Sequence, residues 1–130
     1  MGLNERRKMK ELQTETFPGR TAELLEITGS PVVYDVDWDS FSEDLEALNF
    51  LDNLSCHRTN MALRMICSDD LGKEAVAEGL KTIKLKNVPN KGDMQITFGD
   101  GVLEMHLAYA LRTDGMYSDN EIRAVLEKGL

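Results

Sequence analysis

Val32-Val33-Tyr34-Asp35-Val36-Asp37-Trp38-Asp39 is the stretch on which the fold turns. In an extended chain successive side chains point to opposite faces. Val32, Tyr34, Val36 and Trp38 then share one face, and Val33, Asp35, Asp37 and Asp39 share the other. Same-face neighbours on a strand lie about 7 Å apart. The pattern predicts a half-buried strand with one oily side and an acidic ladder on its wet side.

Upstream, residues 22–28 read two ways. As a strand, Leu25 and Ile27 share a face, and Gly29-Ser30-Pro31 turns the chain back so that Ile27 opposes Val32 and Leu25 opposes Tyr34. As a helix, Leu24, Leu25 and Thr28 form a weak stripe that stops at Gly29. The hairpin is preferred because all four paired side chains then lie on one face. Before it, residues 4–13 carry good helix formers, and Phe17-Pro18-Gly19-Arg20 carries the Pro-Gly signal of a type II turn.

Downstream, Ser40 or Ser42 opens a helical region with the apolar stripe Leu45, Leu48, Phe50, Leu51 and Leu54. A second helix is predicted over residues 55–67. A third, over 71–80, is capped by Ser68-Asp69-Asp70 and expected to bury Leu71, Ala75, Val76 and Leu80. Strand character returns at Lys81, with Ile83 and Leu85 on one face. Residues 94–98 alternate, and Asp100-Gly101 suits a tight hairpin turn. That turn sets Phe98 opposite Leu103, Ile96 opposite Met105, Thr97 opposite Glu104 and Gln95 opposite His106. Residues 102–112 have helical propensity, but the alternation of Leu103, Met105, Leu107, Tyr109 and Leu111 favours a strand. Ser118 and Glu121 have capping-box spacing ahead of a last helix.

Strands and helices thus come in blocks. The expected architecture is a single α+β domain over residues 1–130: an about five-stranded, mostly antiparallel sheet with helices layered on one face.

The chain has 130 residues, 42% of them hydrophobic and 29% charged. A domain of this length builds a core without a metal or disulfide staple. Cys56 and Cys67 on one helix would stand about 16 Å apart, too far for a disulfide, so free thiols and a reducing, cytoplasmic setting are expected. The charged amino terminus lacks an apolar segment of the secretory kind. No apolar run is long enough to cross a membrane.

The net charge of −8 is uneven. Residues 21–70 carry two basic and eleven acidic side chains, whereas residues 1–20 carry five basic and three acidic. An acidic surface repels nucleic-acid phosphate and attracts a basic protein. No nucleic-acid or membrane partner is expected. A protein partner or a second copy of the chain is.

Three constellations could carry chemistry. The ladder Asp35, Asp37 and Asp39 offers carboxylates that suit a protein cation or a hard metal ion. Residues 32–37 are similar to the nucleophile strand of haloacid dehalogenase-type phosphatases, yet Asp39 stands where that family has Thr or Val. The repeated strand–helix units of that family are also missing, which excludes the assignment. Glu104 and His106 share a face with Gln95 and Thr97 and could act as a base or a ligand pair. Cys56-His57-Arg58 places a thiol near the expected start of a helix. Lys81, Lys84, Lys86 and Lys91 form a stripe without interleaved aromatics, which reads as edge-strand lysines that discourage aggregation. No phosphate-binding glycine loop or nucleophile triad is visible.

The expected function is therefore a small binding or regulatory protein with no cofactor, whose acidic residues 35–52 engage a basic protein or a second copy. Asp35, Asp37, Asp39, Glu104 and His106 are the candidate binding residues. The competing reading is a metal-assisted enzyme built on the same carboxylates.

Overall fold

The structure is a computed structural model and describes residues 2–130. Its first half is helical except for one short strand. Helix α1, Leu3–Glu11, continues through a π-helical segment, Leu12–Thr16, into α2, Phe17–Thr28. Strand β1, Val33–Val36, follows, then a 3₁₀ turn, Trp38–Phe41. Helix α3, Leu45–Leu51, passes through a second π segment, Asp52–His57, into α4, Arg58–Ile66, and α5 spans Asp70–Gly79. Strand β2, Thr82–Asn87, is followed by β3, Gln95–Gly99, and β4, Val102–Leu107. A 3₁₀ segment, Tyr109–Gly115, leads to the last helix, α6, Asp119–Gly129.

The strands form one open sheet in the order β1-β2-β4-β3. Strand β1 runs parallel to β2, and β2 parallel to β4; only β3 and β4 are antiparallel. This corrects the expected five-stranded, mostly antiparallel sheet. The sheet is four-stranded and mixed.

The hairpin expected over residues 22–38 does not exist, because residues 22–28 belong to α2. Nor is Phe17-Pro18-Gly19-Arg20 a turn. Proline has no N–H, and its ring collides with the carbonyl four residues back in an α-helix. The preceding π segment widens the helix, and the Phe17 N–H reaches back five residues to the Leu12 carbonyl. Leu12 and Phe17 are both buried. A step of five residues keeps them on one side only where the helix gains a residue per turn. Gly29 stops the helix at φ +70°, in the left-handed region glycine tolerates, and its N–H bonds the Leu25 carbonyl at 2.8 Å. With no strand there, β1 pairs with β2 across α3, α4 and α5.

Strand β4 ends at Leu107, short of the expected Leu111. Tyr109 is fully buried with its ring centroid 5.1 Å from that of Phe41, while Leu111 is exposed. The chain folds back so tightly that a Cβ on Gly115 would lie 1.9 Å from the Ala108 carbonyl oxygen. Leu71, expected in the core, is 76% exposed; Val76 and Leu80 are buried.

Other local expectations hold. Asp100 and Gly101 both have positive φ, and β3 pairs with β4 in the expected register. Ser118 and Glu121 form the capping box, and Asp69 caps α5 through the Gly72 N–H. The core side of the sheet presents Ile83, Leu85, Leu103, Met105 and Leu107 to Leu48, Leu51, Leu63, Ile122 and Leu126 of the helices, all buried. No helix among the described residues is long and apolar enough to cross a membrane.

Candidate functional site

Burial along residues 32–39 alternates as the spacing requires: Val33, Asp35, Asp37 and Asp39 are exposed, and Val32, Tyr34, Val36 and Trp38 are buried or half-buried. Because β1 lies beside β2 and β2 beside β4, the alternation propagates across the sheet. Asp35 is the Cα partner of Lys84, Lys84 of Glu104, and Glu104 of Thr97. One row further on, Lys86 pairs with His106 and His106 with Gln95. Neighbouring strands are about 4.8 Å apart, so the row Asp35, Lys84 and Glu104 is a short ladder of alternating charge.

Asp35, Asp37, Lys84, Lys86, Glu104 and His106 line a groove of about 290 Å³ on this face. Four of the five candidate residues therefore meet in one place, although Asp35 and His106 are far apart in sequence. Asp39 does not line the groove; it lies in the 3₁₀ turn Trp38–Phe41. Lys84 and Lys86 were legible only as edge-strand lysines, yet β2 is an interior strand. Among the described residues no carboxylate forms an ion pair with either lysine.

The groove is partly fixed from behind. Asp37 accepts from the Ser40 N–H at 3.3 Å, and the Ser40 hydroxyl donates to the Asp37 carbonyl at 2.6 Å. The Asn87 side chain donates to the Ser40 carbonyl at 3.0 Å, which ties the end of β2 to that turn. Nε2 of His106 lies 2.7 Å from Oε2 of Glu104. An ionised carboxylate only accepts, so against it the donor of this contact is Nε2 of His106.

The remaining acids of residues 35–52 are largely taken up within the fold. Asp44 caps α3 through the Ala47 N–H at 2.9 Å. Glu46 pairs with Arg112 at 2.7 Å, and Asp52 with Arg20 at 2.7 Å. Arg20 also holds Glu23 at 3.0 Å, and Glu23 accepts from Asn60 Nδ2 at 2.8 Å. The Tyr34 hydroxyl donates to Asn60 Oδ1 at 2.5 Å. The hydrogen bond from Asn60, aided by Arg20, holds the Glu23 carboxyl below its ordinary range, and its bond to Asp52 raises the Arg20 guanidinium further. This polar network is the inner support of β1.

Cys56 does not begin a helix. It is buried in the π segment, and burial pushes its thiol well above the ordinary range, so it is no ready nucleophile. Both cysteines are free thiols. Among the described residues no group of three or more His, Cys, Asp or Glu side chains is placed to hold a metal ion. In the groove, lysines stand between the two carboxylate-bearing flanks.

No protein-family model, curated protein or solved structure matches this chain.

Proposed function

We propose that this chain is a small binding protein that engages a basic segment of another protein along β1, at the acidic margin of its sheet face. The observation that carries the reading is the exposed run of Asp35 on the edge strand β1, Asp37 just past its end and Asp39 in the turn that follows. An edge strand has one side unpaired by the sheet and can accept a further extended segment. The acids give that segment a required charge, and Lys84 and Lys86 further in, in no ion pair among the described residues, select an acidic residue at its inner side. A metal-assisted enzyme is the lesser reading, because Lys84 and Lys86 line the groove on the strand between the carboxylate flanks and their charge opposes a further cation there.

The test is a titration of isotope-labelled protein with a lysine-rich extended peptide, followed by amide chemical shifts. The expected result is saturable shifts at Asp35, Asp37 and their β2 neighbours, weakened by salt and lost in the Asp35→Lys/Asp39→Lys variant. Shifts that leave β1 untouched overturn the reading.

A further inference from the structure

Two exposed helical stripes of opposite charge occupy separate parts of this molecule. On α1, Leu3, Arg6, Arg7 and Lys10 are all exposed and recur at i, i+3, i+4 and i+7, which is one face of a helix. On α5, Leu71, Glu74, Ala75 and Glu78 recur at the same spacing; all are exposed except Ala75, which is half-buried. Among the described residues no ion pair engages Arg6, Arg7 or Lys10 on the first stripe, nor Glu74 or Glu78 on the second.

The α5 stripe borders a groove. Met65, Leu71, Ala75 and Leu130 line a hollow of about 470 Å³ between the end of α4, α5 and α6, and Glu74 and Glu78 line its continuation of about 400 Å³. Leu71 is 76% exposed and Met65 54%. Side chains this apolar and this exposed at the edge of a groove mark a contact surface. The cation nearest the groove, Arg123, is already paired with Glu127, so Asp69, Glu74 and Glu78 leave the rim acidic.

We infer that the groove beside α5 takes helix α1 of a second copy of this chain. Laid side by side in the same direction, Leu3 meets Leu71, Arg6 and Arg7 meet Glu74, and Lys10 meets Glu78. The apolar contact and the opposed charges together supply affinity, and the charges fix register and partner. Each molecule carries one stripe of each kind; a two-fold axis that exchanges both contacts closes two copies as a dimer, and a mass that grows beyond two chains with concentration would show an open chain instead. The surface differs from the β1 edge proposed above, and the two readings fail separately.

The experiment is light-scattering mass measurement on three proteins across concentration: the wild type, an Arg6→Glu/Arg7→Glu/Lys10→Glu variant and a Glu74→Lys/Glu78→Lys variant. The wild type is expected at twice the one-chain mass of 14.6 kDa, falling toward one chain in 1 M NaCl, where screening acts within about 3 Å. Each variant alone is expected at one chain. An equimolar mixture of the two is expected to regain twofold mass, because the reversed α1 then fits the reversed groove and the intact α1 fits the intact groove. That recovery also shows that both variants are folded. A wild type at one chain throughout, a dimer that neither variant disturbs, or a mixture that stays at one chain overturns the inference.

Discussion

Arg20 and Asp52, 32 positions apart, meet in a two-pronged ion pair, with Nε to Oδ1 at 2.7 Å and Nη2 to Oδ2 at 3.0 Å. The fork joins α2 to the second π segment and closes the network that reaches Tyr34 on β1. The pair is partly exposed, so its worth lies between that of a surface pair and that of a buried one. Asp52→Asn is expected to cost about 1–2 kcal/mol, read from urea denaturation with an unchanged m-value. Arg20→Lys is expected to cost nearly as much, because a single ammonium cannot make the fork. A loss indistinguishable from zero in both would show that the pair is ornamental.

Glu23 sets an acid limb. Its folded-state carboxyl titrates below its ordinary range, so the unfolded chain binds the proton more readily. The stability it contributes is complete above the unfolded value of about 4.3 and is lost as pH falls through the lower folded value. Glu23→Gln is expected to flatten the stability curve in that acid window while leaving its slope at neutral pH unchanged. Thermal unfolding followed from acid to neutral pH checks this, and superimposable acid limbs would contradict it.

Lys84 separates Asp35 from Glu104 across three strands. Lys84→Glu places three carboxylates in one row, and like charges directly opposite destabilise a sheet. The expected cost is about 0.5–1 kcal/mol for each new pair, shrinking in 1 M salt. Lys84→Gln is expected to cost less. A salt-independent loss would point to packing instead.

Glycines at two helix positions should behave oppositely. A Cβ at Gly72, in the first turn of α5, would sit 1.7 Å from the Ile66 carbonyl oxygen, a backbone atom that cannot step aside. Gly72→Ala is expected to cost at least about 3 kcal/mol. Gly19, inside α2, has nothing within 4 Å of its Cβ position, so Gly19→Ala is expected to stabilise by about 0.5–1 kcal/mol. Melting temperatures of the two variants should move in opposite directions.

The turn and register of the β3–β4 hairpin were legible, because Asp100-Gly101 fixes the turn and alternation fixes the register on both sides, although the expected pair of Met94 with Leu107 lies beyond the paired residues. The caps at Asp69 and Ser118 were legible for the same reason: a side chain and an amide three residues on are all that is needed. Of the helical run over residues 3–28 only the first part, residues 4–13, was legible; its continuation was not, because a five-residue step from Leu12 to Phe17 breaks the 3.6-residue period and Pro18-Gly19 imitates a turn. The end of β4 was misplaced because Tyr109 continues the alternation in sequence but enters the core from a 3₁₀ turn.

Of the candidate site, the exposure of Asp35 and Asp37 and the shared face of Glu104 and His106 were readable, but the meeting of the two sets was not. Reading Lys84 and Lys86 as edge residues hid what stands between them.

Sequence alone determined which face of each strand is wet, where α5 and α6 are capped and how β3 folds onto β4, since each depends on side chains and amides within a few residues of one another. Tertiary structure decided the order β1-β2-β4-β3 and thereby brought Asp35, Lys84 and Glu104 into one row. Parallel strands have no turn to set their pairing. It is set by the helices between them, which seat only where their apolar faces and the core side of the sheet are buried together.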